Sequence, residues 1–220
     1  MHNQYTKQLT QKVLIGLTGG IASGKTTVAN YLGQKGAYLI DTDMIARQVV
    51  QPGAPTTEKI RNLLGADYLL PDGNLKRGKI KQLIFNDATI KAQYEAIILP
   101  AIRQATLAAI QAIPADVCYA LLIVPLLFEK GLDGYCDYTI SIDIPEPIQI
   151  RRSIARNPDD EVVIRQIIAA QLPRQQRNDR ADFIVNNHAG LEKLYAQLDH
   201  LHTKLCQLPP TKSHHHENIY

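Results

Sequence analysis

Gly19-Gly20-Ile21-Ala22-Ser23-Gly24-Lys25-Thr26 carries the spacing G-x-x-x-x-G-K-[ST]. Glycines at these positions let backbone N–H groups converge on an anion at the positive N-terminus of a following helix. Lys25 adds a point charge at the β/γ phosphates, and the Thr26 hydroxyl can ligate Mg²⁺. Gly19 through Thr27, including Ile21, Ala22, Ser23 and Gly24, therefore reads as an ATP-binding loop, with Thr26 as the metal ligand. Asp41 and Asp43 form a second candidate group. A carboxylate at the end of a strand beside a phosphate loop can orient Mg²⁺ or accept the proton of an attacking hydroxyl. Asp43 also directly precedes Met44-Ile45-Ala46, so capping the next helix is an alternative role for it. Arg152 and Arg156 form the third group, spaced i, i+4, where two guanidinium forks on one helix face could meet a triphosphate or simply solvate that face.

The elements that must position these residues follow from the pattern around them. Val13 to Leu17 is a short apolar strand running into the loop, Val28 to Leu32 reads as a helix, and Ala37 to Ile40 is a second strand ending at Asp41. A right-handed crossover makes the two strands parallel, so that Asp41 and Asp43 would face the loop from the same sheet edge. From Met44 to about Pro114 no convincing strand appears, while helical patterns recur at Glu58 to Leu64, Lys79 to Phe85, Ala88 to Ile98 and Ala101 to Ile113. That span is far too long for a βα connection and reads as an inserted helical subdomain. Val117 to Val124 and Tyr138 to Ile142 give a third and fourth strand, Asp182 to Val185 a last one, and Leu191 to Leu205 a last helix.

Arg151 to Arg180 holds seven of the eleven arginines (Arg151, Arg152, Arg156, Arg165, Arg174, Arg177 and Arg180), no lysine and four acids. Asn157-Pro158 divides it into two helices, with Asp159 or Asp160 as a cap for the second, and Pro173 stops it. A hinged, arginine-rich lid is the expectation, since fixed bidentate charge suits transferring phosphates. The chain thus divides into a core of 12–43, 115–145 and 181–208, an insertion of 44–114, a lid of 146–180, and flexible tails at 1–11 and 209–220. His214 to His216 belongs to that tail and reads as solvated, with weak metal binding as the alternative.

Composition bounds the partners. The chain has 220 residues, a formal net charge of +3, and is 45% hydrophobic and 20% charged, which describes a globular protein able to bury a large core. Three excess charges make no polyanion footprint, and no aromatics interleave with the arginines, so no nucleic-acid partner is expected. The longest apolar run, Val117 to Phe128, is too short to cross a bilayer and contains a proline. The polar stretch Met1 to Lys12 has no apolar h-region. Cys118, Cys136 and Cys206 show neither C-x-x-C nor metal-ligand spacing, as expected for reduced thiols. A cytoplasmic protein without membrane contact, a monomer or small homo-oligomer, is the expectation.

A guanine-reading N-K-x-D is absent, which argues against a switch GTPase, and the third strand runs into Pro125 where motor ATPases end in an acid. The chain resembles the dephospho-CoA kinase family from Val13 to Gly190. The resemblance rests on Leu17-Thr18-Gly19-Gly20-Ile21 with the loop, Ile40-Asp41-Thr42-Asp43 with Ala46-Arg47, Pro52-Gly53-Ala54-Pro55, Val124 to Glu129, and Ala181-Asp182-Phe183 with Asn186-Asn187. It implies an α/β fold of the P-loop nucleoside-monophosphate-kinase-like type: a three-layer parallel sheet with a helical substrate-binding insertion and an arginine-rich helical lid. It further implies ATP and Mg²⁺ as cofactors and dephospho-CoA as acceptor. Asp43 corresponds to the catalytic base, acting with Lys25, Arg152 and Arg156. Asp41, Asp43, Arg47, Arg77 and Glu129 correspond to positions near the acceptor or phosphates. Ala22 stands where the family usually has a third loop glycine, Leu99 where it often has histidine before proline, Asn157 for a common aspartate, and Arg177 for a frequent lysine. A shikimate-type kinase also pairs such a loop with D-x-D, but it predicts a shorter chain and a glycine triplet after the third strand. A non-enzymatic ATP-dependent switch or nucleic-acid-binding module is the alternative of another class.

Overall fold

The structure, a computed structural model, describes residues 12–156 and 161–211. Strand β1 (Val13–Gly19) is buried along its whole length, as a continuous apolar run covered on both faces of a parallel sheet must be. β2 (Tyr38–Asp41), β3 (Tyr119–Ile123), β4 (Tyr138–Asp143) and β5 (Phe183–Asn186) complete a five-stranded sheet in the order β2-β3-β1-β4-β5. β1 runs parallel to both its neighbours, with Val13 opposite Tyr119 and Ile15 opposite Tyr138, and β4 runs parallel to β5. The central place of β1 carries its carboxyl end, and the loop that follows, to the middle of one sheet edge.

Helix α1 (Lys25–Gln34) buries Val28, Ala29 and Leu32 against the sheet, in one core with Leu194, Leu198 and Leu205 of α9 (Leu191–Leu205). Tyr31 and Tyr195 stack between these helices with ring centroids 4.4 Å apart, and the Tyr31 hydroxyl donates to Asp199 at 2.9 Å. α1 begins at Lys25, earlier than the expected Val28, because the loop delivers the chain directly into helical geometry. α9 occupies the expected range.

The remaining helices depart from expectation in instructive ways. α2 (Thr42–Gln48) starts immediately after β2, before the position at which a cap at Asp43 would begin it. α3 (Pro55–Leu64) starts before the expected Glu58 and ends at the expected Leu64, and α4 (Arg77–Asn86) extends the expected helix at both ends. Ala88–Ile98 and Ala101–Ile113, expected as two helices, are one continuous α5 (Ala88–Gln111) with Pro100 inside it. A proline removes one backbone hydrogen bond and costs about 3 kcal/mol locally, which the helical preference of both flanks and the packing of Tyr94, Ile97 and Ile98 offset here. The arginine-rich segment forms three helices where two were expected: α6 (Glu146–Arg156), α7 (Glu161–Ala169) and α8 (Arg174–Arg180). Pro173, expected to stop the second helix, instead sits at the N-cap of α8, where its missing N–H costs no helical bond, and α7 already ends at Ala169.

The described residues fall into two compact units, 12–40 with 110–211, and 41–109. The second has its own core of Val50, Ile60, Leu75 and Ile80. Residues 209–211, expected as part of a flexible tail, are held: Tyr138 donates to the Pro209 carbonyl at 3.2 Å and the Thr211 N–H donates to Asp137 at 2.8 Å. The expected tail at 1–11, the candidate caps Asp159 and Asp160, and His214 to His216 lie outside the described residues. Among the described residues no helix is long and apolar enough to cross a membrane, and none of the three cysteines forms a disulfide.

Candidate active site

The loop begins where β1 ends. Thr18 donates its hydroxyl to the Pro125 carbonyl at 3.1 Å, tying that end to the exit of β3. Ser23 N–H closes a turn on the Gly20 carbonyl at 3.1 Å, and Val28 N–H reaches back to the Gly24 carbonyl as α1 starts. Gly24, the N-cap, takes φ 95°. A side chain there would be strained by the left-handed backbone and would also collide with Asn187, so only glycine fits. Lys25 folds back over the loop and donates to the Gly19 carbonyl at 2.7 Å and the Gly20 carbonyl at 3.2 Å. Its ammonium is thereby fixed against the start of the loop. Thr26 is exposed one residue later.

Three side chains distant in sequence brace this loop. Asn187, buried just after β5, donates its amide to the Ser23 carbonyl at 2.7 Å. Gln149, buried in α6, lies so close to Gly20 that any side chain at Gly20 would strike its amide. Gln171, between α7 and α8, accepts the Ile21 N–H at 3.1 Å. Sequence reading missed the part played by all three. Asn187 entered only within a family motif, and no local pattern could reveal Gln149 or Gln171, because each acts on a partner more than a hundred residues away.

Asp143, at the end of β4, is a further residue without a signal in the pattern. Its buried carboxylate meets Arg174 in a two-pronged pair, both contacts at 2.6 Å, and takes a third bond from Asn178 at 2.7 Å. Arg174 foremost, with help from Asn178, holds the Asp143 carboxyl below the usual carboxylate range against the opposing effect of burial. Arg177 is buried beside it, its Nη1 donating to the Leu172 carbonyl at 3.0 Å, and loss of solvent pushes its pKa down.

The expected site residues are placed as follows. Arg152 donates to the Asn187 carbonyl at 2.9 Å, so this guanidinium helps fix the segment that braces the loop, and Arg156 is exposed at the last residue of α6. The Glu129 carboxylate accepts the Leu172 N–H at 2.7 Å. In the second unit Asp41, not Asp43, is the N-cap of α2: its carboxylate accepts from the N–H groups of Asp43 (2.8 Å) and Met44 (3.2 Å). The capping role considered for Asp43 thus belongs to its neighbour. Asp43 sits in the first turn with an exposed side chain and no hydrogen bond to it among the described residues. Arg47 is exposed in the last turn of α2, and Arg77 is exposed at the start of α4, near Tyr94.

Comparison with known proteins identifies the lineage. The family model described as dephospho-CoA kinase matches residues 13–193, which spans the loop, the whole of the second unit and all the bracing residues. The chain belongs to the dephospho-CoA kinase family. A dephospho-CoA kinase of Pseudoalteromonas translucida is 42% identical over 195 residues, covering 89% of this chain and 92% of its own length. One from Shewanella oneidensis is 37% identical over 204 residues, covering 93% and 98%. Among solved structures, a Thermus thermophilus protein matches with a TM-score of 0.76 at 28% identity, over 89% of this chain and 99% of that one. Ala22, the loop position at which the resemblance leads one to expect glycine, takes φ 54°, a left-handed backbone that costs a residue with a Cβ about 1–2 kcal/mol.

Proposed function

We propose that the protein transfers the γ-phosphoryl group of ATP to the ribose 3′-hydroxyl of dephospho-CoA, giving coenzyme A and ADP. The observation that carries this reading is the extent of the family match, which runs through residues 41–109 as well as the phosphate loop. A loop alone would support only nucleotide binding.

In this reading the amides of Gly19 to Thr27 hold the phosphate chain, apart from those of Ile21 and Ser23, which are bonded within the protein, and Lys25, fixed on the Gly19 and Gly20 carbonyls, neutralises charge building on the transferred group. Asp43 accepts the proton of the 3′-hydroxyl as that oxygen bonds to the γ-phosphorus and the bond to the ADP oxygen breaks. Its role as base is supported by an exposed carboxylate that capping does not occupy, since Asp41 serves as the cap. Asp41, Arg47, Arg77 and Glu129 orient the acceptor, and Arg152 and Arg156, on a lid spanning 146–180, gather the phosphates. The residues present suit Mg²⁺ delivered with the nucleotide: the donor set is one exposed hydroxyl, Thr26, with no cluster of acids or histidines among the described residues. Thr26 would hold such an ion, which would supply charge neutralisation on the phosphates. The reaction belongs in the cytoplasm, where ATP is supplied.

A coupled ADP assay across dephospho-CoA, shikimate, gluconate and nucleoside monophosphates tests the reading. Mg²⁺-dependent ADP release with dephospho-CoA is expected. Turnover of shikimate without turnover of dephospho-CoA would replace this acceptor.

A further inference from the structure

The turn between α7 and α8 is fastened on several sides. Leu172 gives its N–H to Glu129 and takes a bond from Arg177 on its carbonyl. Two residues on, Arg174 meets Asp143. Between these anchors Gln171 reaches 150 positions back along the chain to accept the Ile21 N–H inside the phosphate loop. Gln149, Gln171, Arg174 and Arg177 line one cleft there. Gln149 Oε1 and Arg177 Nε are buried in it without a hydrogen-bond partner among the described residues.

The two carboxamides that hydrogen-bond to the loop differ in kind. Asn187 is buried and has its own N–H on the Asp143 carbonyl at 3.0 Å, so it moves only with the sheet. Gln171 is half-buried and stands on a turn between two helices. Where that turn goes, Ile21 is held or released, and with the turn go Arg174 and Arg177.

We propose that Gln171 is a positioning residue for phosphoryl transfer: through Ile21 it couples the filling of the phosphate loop by nucleotide to the placement of the α7–α8 turn and its two arginines. An anion on the other loop amides fixes the loop in the shape that turns the Ile21 N–H toward Gln171. An ordered Ile21 presents its N–H to Gln171 and holds the turn. Coupling of this kind is reciprocal, so the held turn must strengthen nucleotide binding by the same factor. One neutral hydrogen bond bounds that factor at a few-fold to about tenfold.

The proposal rests on reading the loop as the ATP site, and binding of a non-hydrolysable ATP analogue by the unsubstituted protein is measured first to test that reading by itself. Backbone amide exchange is then followed with and without the analogue in the unsubstituted protein, Gln171→Ala and Gln171→Glu. In the unsubstituted protein the analogue should slow exchange in the loop and also across 171–177. In Gln171→Ala it should bind a few-fold to about tenfold more weakly and still protect the loop, but leave 171–177 as in the free protein. kcat should fall while the KM for dephospho-CoA holds. Gln171→Glu retains an acceptor oxygen and should keep Ile21 exchange slow in the free protein, which a loss of packing alone would not restore. Nucleotide-dependent protection of 171–177 in Gln171→Ala equal to that of the unsubstituted protein overturns the proposal. So does the absence of such protection in the unsubstituted protein, whatever the variants do.

Discussion

Asp41 and Asp43 stand two residues apart and are held to different tasks by backbone geometry. Asp41 has the extended φ and ψ of a cap (−99°, 112°) and spends one oxygen on two amides, while Asp43 is already inside the helix. Asp43→Asn keeps shape and removes the base, so kcat should fall by about 10²–10⁴ with ATP affinity nearly unchanged. Steady-state kinetics beside nucleotide titration checks this, and near-normal turnover with the fold intact would end the role of Asp43 as base. Lys25→Ala removes charge stabilisation at the transferred phosphate and should cost about 3–4 kcal/mol of barrier, roughly 10²–10³ in rate. The loop and its lysine were legible in sequence because their spacing is local and the strand before them is unmistakable. Which aspartate caps was not, since Asp41 and Asp43 are chemically alike and only the turn of the chain between them decides.

At the scale of elements, the pairing of β4 with α8 through Asp143 and Arg174 supplies a pH-dependent contribution. The Asp143 carboxyl titrates below its unfolded value, chiefly because of Arg174, so the folded state binds fewer protons than the unfolded chain in acid. The stabilisation is therefore fully present above the unfolded value near 3.9 and is lost as pH falls through the lower folded one. Asp143→Asn should lower stability at neutral pH by about 1–3 kcal/mol, a figure kept modest because the Arg174 side chain is 46% exposed. It should also flatten the decline of stability below about pH 4. Denaturant unfolding at pH 7 and at pH 3 measures both, and a variant with the same acid slope as the parent would remove Asp143 from the account. Nothing in the local pattern announced this pair. The arginine-rich stretch was legible as charge, yet Arg152, Arg174 and Arg180 each find a partner far away in the chain, on Asn187, Asp143 and Asp133 respectively, while Arg177 turns back on nearby Leu172. Pro100 misled for the opposite reason: the penalty of a proline is local, and the helix around it is held by packing that no window of sequence contains.

For the molecule as a whole, the parallel α/β class followed from apolar runs separated by helical patterns, because strands buried on both faces have few other ways to read. The order β2-β3-β1-β4-β5 did not follow, since the strands that flank β1 come from beyond residue 110. That order makes the loop a junction: β1 feeds it, β3 exits beside it at Pro125, and β5 leads into Asn187, which holds it. A ligand in the loop is thus bound by the folded sheet and not by any fragment of the chain. Nucleotide must then stabilise folding by mass action, by about 2.7 kcal/mol at a hundredfold excess over its Kd. For a chain of this size each kcal/mol is worth about 2–4 °C, so a saturating ATP analogue with Mg²⁺ should raise the unfolding temperature of the unit that carries the loop by roughly 5–10 °C. Calorimetry reads the shift, and Lys25→Ala should lose most of it because the ammonium proposed to meet the phosphates is gone. A shift preserved in Lys25→Ala would place the nucleotide away from the loop.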